Sequence, residues 1–515
     1  MTANNPRNTG YILGLDQGTT GSTVLVISVA DPANPVLVGK ATVDFPQHFP
    51  QEGWVEHDAT EIWSSMQEAC KKALKVAAGN DPNFDPARVR AIGITNQRET
   101  TVAFDRTTGQ PLARAIVWQC RRTTSTCEAR RQKGLEPEIR KKTGLVLDPY
   151  FSASKMEWLL DNNQSVANAA KSGKLAFGTI DTYLLHRLTG GAAFATEPSN
   201  ASRTMLFNIN TGKWDESLLK EFKIPSLDCL PAIRDSAGVF GHTRGLGFLP
   251  DGIPVSGILG DQQAALAGQA CFKPGQAKCT YGTGAFLLLN TGDKPRASTS
   301  GMLTTVSWSL GGKMTYALEG SAFIAGAAMQ FLRDQLKFIP TAAASEALAQ
   351  DATAAPSIYF VPALAGLGAP WWDAKARGAF FGLTRGTTTA QLARAALESI
   401  AFQVTDLISA MAKDLGMPVD SLRVDGGASA NNLLMQMQAD FTGTRVDRPR
   451  NIETTAFGAA MFAALGCGIY NDITQLEKAR ASDRVFEPRR TPGHDAQIAG
   501  WHRAVHATQV FAGTK

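Results

Sequence analysis

Apolar positions along the chain follow two rhythms. Residues 11–15 form a short continuous apolar run, and residues 22–29 and 36–42 are β-branched stretches of strand character. Asp16-Gln17-Gly18-Thr19-Thr20-Gly21 separates the first two runs. The pattern therefore predicts a hairpin closed by a Gly/Thr turn and followed by a third strand. It is not the strand–turn–helix opening of a dinucleotide fold. The period then becomes helical: Ile62, Met66, Ala69, Ala73 and Val76 line one side of a run ending near Ala78. Asp58 and Glu61 stand ahead of it at capping-box spacing. Residues 90–95 and 101–104 return to strand character.

A second start lies at residues 254–259, a strand pattern that enters Gly260-Asp261-Gln262-Gln263. Residues 277–280, the turn Tyr281-Gly282-Thr283-Gly284 and residues 285–290 repeat the strand–turn–strand device. Residues 302–309 and 314–318 are extended, while 321–336 and 389–411 read as helices. Residues 358–361 and 422–424 are short buried strands. The second of these enters Asp425-Gly426-Gly427-Ala428, with a helix expected over 431–441. Both halves thus open with strands and Gly/Thr turns. The pattern predicts an α/β chain of two domains, residues 1–268 and 269–515, flanking a ligand cleft.

Composition narrows the classes without choosing among enzymes. With 515 residues, 44% hydrophobic and 19% charged, the chain can bury more than one core. A net charge of +5 is small for this length. The one dense basic region, residues 121–122, 130–133 and 140–142, is expected to be a solvated helical surface, so no nucleic-acid partner is expected. Seven cysteines without a CxxC pair make neither a disulfide scaffold nor a zinc cluster, and suit a reducing compartment. The first ten residues lack the apolar run of a secretory signal and are expected to lead straight into a strand. No window is expected to supply the roughly 20 apolar residues that span a bilayer. A cytoplasmic protein without membrane insertion follows from this reading.

The turns carry the chemistry. Glycine lets a backbone approach a ligand closely, and amides and Thr hydroxyls donate to phosphate oxygens. Asp16 shares the sign of a phosphate, so in the first turn it makes sense through Mg²⁺ or water, or else as part of a plain hairpin. Three such turns in one α/β chain favour nucleotide phosphate. No GxxxxGK[ST] loop, protein-kinase glycine loop, HExxH helix or GxSxG elbow is present. Asp261, between a strand and an Ala-rich helix, either caps that helix or serves as general base to an attacking hydroxyl. Arg98 and Glu99 are either a surface ion pair or ligands of a small polyol; Gln262 adds a donor. Trp118 and Phe286 either belong to the core or cover the CH faces of such a molecule.

Taken in order, YILGLDQGTTGST (11–23), GWVEHD (53–58), GITNQRETT (93–101), IVWQCRRT (116–123), TGLVLDPYFSASK (143–155) and NASRTMLFNI (200–209) resemble the FGGY family of carbohydrate kinases. So do GDQQAAL (260–266), TYGTGAF (280–286), YALEGSAF (316–323), GLGAPWWD (366–373), ARGAFFGLTRG (376–386) and RVDGGASANN (423–432). The resemblance implies a two-domain, actin-like (ribonuclease H-like) ATPase fold with ATP and Mg²⁺ in a central interdomain cleft. The implied activity is phosphorylation of glycerol to sn-glycerol 3-phosphate with release of ADP. Arg98, Glu99, Trp118, Tyr150, Asp261, Gln262 and Phe286 would surround glycerol, with Asp261 as catalytic base. Thr19, Thr20, Gly21, Thr283, Gly427 and Asn431 would contact the nucleotide. Asp16 would hold the metal directly or through water, with Asp261 a second candidate ligand. A homo-oligomer, dimer or tetramer, is also implied. One position departs from the pattern: Thr23 stands where many members carry an arginine, and cannot supply guanidinium contacts to phosphate.

Overall fold

The computed structural model describes residues 10–352 and 358–514. The expected lead of residues 1–9 into the first strand lies outside the described residues. Because residues 11–15 form a continuous apolar run, the strand they begin, β1 (Tyr11–Gln17), is covered on both faces. Its sheet continues with β2 (Gly21–Ser28), β3 (Val36–Asp44), β4 (Val89–Asn96), β5 (Ala237–His242) and β6 (Pro254–Gly260). The strand order is β5-β6-β4-β1-β2-β3. β1, β2 and β3 are antiparallel neighbours, whereas β1, β4 and β6 run parallel.

Helix α1 (Ala59–Asn80) covers one face with Ile62, Met66, Ala69 and Ala73. Asp58 caps it by accepting from the Thr60 amide. The expected capping box is incomplete, because the Glu61 carboxylate instead pairs with the His48 ring at 2.8 Å.

Helix α2 (Asp261–Gly268) follows β6, and the second half then repeats the arrangement. Strands β7 (Gln276–Tyr281), β8 (Ala285–Gly292), β9 (Leu303–Leu310), β10 (Lys313–Ala322), β11 (Ser421–Asp425), β12 (Val446–Pro449) and β13 (Ser482–Phe486) form a sheet of order β9-β10-β8-β7-β11-β12-β13. β7 is antiparallel to β8 and parallel to β11, as β1 is to β2 and β4. The two sheets thus share one core topology, an antiparallel trio joined to a parallel trio.

Residues 321–336 do not form one helix. β10 continues through Ala322 because Phe286 and Ala285 of β8 pair with Ser321 and Ala322, and the helix, α3 (Gly326–Asp334), starts only afterwards. Helix α4 (Thr389–Leu415) corrects another expectation: it is long and apolar enough to span a bilayer. Its apolar window is 89% buried, and Leu397, Ile400, Phe402 and Val404 join the core of the second half. Helix α5 (Asn432–Thr442) follows β11.

The last helix that matters for the site, α6 (Thr454–Gly466), belongs to the C-terminal part of the chain but lies on the first sheet. A Cβ added at Gly14, Gly93 or Gly257 would stand 2.3, 2.1 and 2.3 Å from the α6 backbone. The same helix meets α2, where a Cβ on Gly458 would come within 1.9 Å of the Ala264 carbonyl oxygen. This bare contact joins the two halves directly beneath Asp261.

The basic stretch between 121 and 142 is largely engaged in ion pairs. Arg121 pairs with Asp148, Arg122 with Glu56, Arg130 with Glu157 and Glu221, and Lys142 with Glu138 and Asp215.

Candidate active site

Ligands of open α/β sheets collect at the carboxyl ends of the parallel strands. At those ends here stand Asp16 on β1, Arg98 and Glu99 just past β4, and Asp261 just past β6. Glu99 has φ 62°, a left-handed backbone that a non-glycine residue seldom adopts, which turns the chain sharply after the strand. Gly260 is the N-cap of α2 and Asp261 its first helical residue, so Asp261 is not the helix cap. Its carboxylate accepts from the Gln262 amide at 2.6 Å and lies 3.1 Å from Arg98 Nε. The Asp261 side chain is 30% exposed, against 2% for Arg98, so the carboxylate is the more accessible of the pair.

The second sheet faces this group. Directly opposed residues in a sheet point to the same side, so the register places Lys278, Thr280, Phe286, Glu319 and Asp425 on one face. From that face Glu319 takes two 2.7 Å hydrogen bonds from the Arg98 guanidinium, and Lys278 donates to Gln262 Oε1. Arg98 and Glu99 are buried and barely touch each other, at 4.0 Å. The surface-pair alternative is thereby excluded. Each is held by a partner far away in sequence, Arg98 by Glu319 and Glu99 by Arg203 at 2.6 Å. Burial alone would raise the pKa of Glu319, but Arg203 and Arg98 drive it down to about 2. For Glu99 burial wins, and its pKa is raised. Breaking such a buried alternating network by removing one charge costs about 3–5 kcal/mol.

Trp118 is half-buried and not a core residue. Its indole nitrogen donates to Thr19 Oγ1 at 3.0 Å, and its ring meets Tyr150 edge-on with centroids 5.6 Å apart. The Arg203 guanidinium lies 5.6 Å from the Tyr150 ring, which closes the circle back to Glu99. Arg98, Glu99, Trp118, Tyr150, Asp261 and Gln262 therefore lie in one connected group. Phe286 shares the facing surface, two residues along β8 from Leu288, which pairs with both Lys278 and Glu319.

Thr283, Gly427 and Asn431 line a cavity of about 450 Å³, a size suited to a small organic ligand. The turn at Thr283 is docked on the start of α3, its carbonyl accepting from the amides of Ala325 and Ala327. Asn431 caps α5 by accepting from the Leu434 amide at 2.9 Å. The cavity walls also include Gly326, Gln330, Glu346 and Ile400, which no motif singled out. Thr19, Thr20 and Gly21 form the β1–β2 turn, closed by a hydrogen bond from the Gly18 amide to the Gly21 carbonyl.

Sequence comparison agrees with this geometry. Residues 11–268 match the N-terminal domain, and residues 277–467 the C-terminal domain, of the FGGY family of carbohydrate kinases. The chain belongs to the FGGY family. It is 52% identical to the glycerol kinase of Myxococcus xanthus, over 96% of this chain and 98% of that one. Its fold matches the glycerol kinase of Plasmodium falciparum, solved with ADP, at a TM-score of 0.91 and 35% identity, covering 97% and 98% of the two chains. It also matches a xylulose kinase from Lactobacillus acidophilus at a TM-score of 0.85 and 22% identity, covering 98% and 99%, a likeness of fold. The two-domain actin-like architecture of FGGY kinases is the architecture of this chain.

Within this FGGY kinase, the carboxylates at the strand ends fit a hard dication. Burial, Asp261 and Glu453 together raise the pKa of Asp16 to about 8, an arrangement of like charges that a cation would relieve. Among the described residues no three His, Cys, Asp or Glu side chains gather to hold an ion alone. The donor set therefore suits an ion held by one or two carboxylates and completed by phosphate and water. Thr23, opposite Asp16 in the β1–β2 register, spends its hydroxyl on Thr42 at 2.9 Å.

Proposed function

We propose that this chain transfers the γ-phosphoryl group of ATP to a primary hydroxyl of glycerol, yielding sn-glycerol 3-phosphate and ADP. The observation that carries the reading is the acceptor group. One partly exposed carboxylate, Asp261, lies beside Arg98 and Gln262, and the buried charges Glu319, Arg203 and Glu99 link it to the Trp118–Tyr150 ring pair, so that a charged and an apolar wall belong to one connected site. That space suits a short polyol with little apolar surface. The relatives named glycerol kinase, at about half identity over nearly the full chain, support the same acceptor.

In this reading Asp261 accepts the proton of the attacking hydroxyl while its oxygen bonds to phosphorus and ADP departs. Arg98 and Gln262 donate to the polyol, Glu99 accepts from it, and Trp118, Tyr150 and Phe286 cover its CH groups. The cavity at Thr283, Gly427 and Asn431 takes the nucleotide, with the β1–β2 turn toward its phosphates. Asp16, with Asp261 as second ligand, would hold Mg²⁺, which supplies charge neutralisation for the phosphoryl group. Alignment in a dry cleft contributes most of the acceleration, because phosphoryl transfer asks little covalent chemistry of the protein. The resemblance further supports a cytoplasmic homo-oligomer, dimer or tetramer.

The test is ADP formation that depends on glycerol, with the product identified as sn-glycerol 3-phosphate by phosphorus NMR. Glycerol-independent ATP hydrolysis without that product would instead indicate a nucleotide-switched protein on the same fold.

A further inference from the structure

Lys278 is fully buried on β7, yet among the described residues no carboxylate lies within salt-bridge distance of it. Its ammonium donates to Gln262 Oε1, in the other half of the chain, and to Thr280 Oγ1 at 3.0 Å. An ammonium has three donors and no acceptor. A side-chain amide held by one must therefore turn its oxygen toward it and its NH₂ group away. Burial lowers the affinity of this amine for its proton, while the neighbouring carboxylates Asp425 and Asp261 help to keep it on. Gln262 is fixed at its other end as well, because its backbone amide donates to Asp261 at 2.6 Å. The contact is thus a chain from the second sheet, through the Gln262 side chain, to the residue beside the base.

We infer that Lys278 is a positioning residue for the acceptor: it sets the Gln262 amide so that its NH₂ donates to a glycerol hydroxyl. The inference rests on the reading that Gln262 touches the acceptor. Because Lys278 lies on β7 and Gln262 on α2, it also makes the acceptor grip depend on how the two halves of the chain meet.

Steady-state kinetics of the full-length chain test this with K278M, Q262A and the double variant, varying glycerol and ATP separately. A freed amide and a buried oxygen without its donor predict that K278M raises the KM for glycerol about tenfold. The KM for ATP should stay within about twofold, because Gln262 does not touch the nucleotide in this arrangement. The double variant should be no worse than Q262A, since Lys278 acts through Gln262. Multiplying effects in the double variant, or a KM for ATP that rises in place of that for glycerol, would overturn the inference. Unchanged glycerol kinetics in Q262A itself would instead overturn the placing of Gln262.

Should K278M fail to fold, Q262E serves on the native background. It keeps an oxygen for Lys278 and loses the NH₂ donor, so the KM for glycerol should rise as in Q262A. An unchanged KM in Q262E would mean that the oxygen, not the NH₂, faces the acceptor.

Discussion

Two aspartates, one at the end of β1 and one just past β6, differ in what surrounds them. Asp261 has a donor on each side and an exposed edge, which suits a base. Asp261→Asn keeps the size of the side chain and removes its basicity. It should lower kcat about 10³-fold, within the usual range for lost general-base catalysis, while nucleotide binding by calorimetry and the melting temperature change little. Turnover near the native rate would point to another base.

Burial, and then the like charges of Asp261 and Glu453, raise the pKa of Asp16 from an ordinary 3.8 to about 8. Between those values the folded chain keeps a proton that the unfolded chain has lost. The ligand-free protein therefore loses stability as pH rises from about 4 to 8. Asp16→Asn removes that penalty. Without ligands it should melt higher than the native chain at pH 8, with the gap closing toward pH 4, in scanning calorimetry. Equal melting curves at both values would contradict the electrostatic reading. Both aspartates were legible in the sequence because each stands at a break in the apolar pattern, Asp16 before a Gly/Thr turn and Asp261 between a strand and an Ala-rich helix. Glu319, Arg203 and Lys278 were not. They are buried charges in strand and loop interiors, and their partners lie 221, 104 and 16 residues away.

At the scale of elements, α6 packs against the helix that carries Asp261. Its approach to α2 is so close that Gly458 has no room for a side chain. Gly458→Ala would place a methyl group against the Ala264 backbone, which cannot swing aside as a side chain could. We expect a loss of about 1–3 kcal/mol in denaturant unfolding. The lower stability should come with a reduced kcat, because α2 carries Asp261 on its first turn. A variant that is fully stable and active would show that the two helices can separate without disturbing the site. Period and capping signals located α1, α4 and α5 to within a few residues. They failed at 321–336, where a continuous apolar stretch hid the change from strand to helix. Cross-strand pairing with β8, which no local pattern records, extends the strand there.

For the whole molecule, the halves are two versions of one sheet topology, and α6, from the C-terminal part of the chain, is laid on the first sheet. The repeated Gly/Thr turns made the two-part plan legible, since each marks the same corner of each sheet. The placement of α6 was hidden, because nothing in an Ala-rich helix at 454–466 says which sheet it will cover. The proposed function assigns Asp261 as base, the residues linked to it as the acceptor site, and the cavity at Thr283, Gly427 and Asn431 to the nucleotide. A wider acceptor would have to displace Trp118 or Tyr150, whose rings are packed against each other. Under the proposed acceptor site, that packing is expected to select a three-carbon polyol. The selectivity is measured by kcat/KM with ATP for glycerol, dihydroxyacetone, erythritol, ribulose and xylulose under one set of conditions. Glycerol should have the highest value, by at least about tenfold over the four- and five-carbon acceptors, the discrimination expected of a packed pocket. A higher value for any of the other four would contradict the assignment of glycerol as the acceptor.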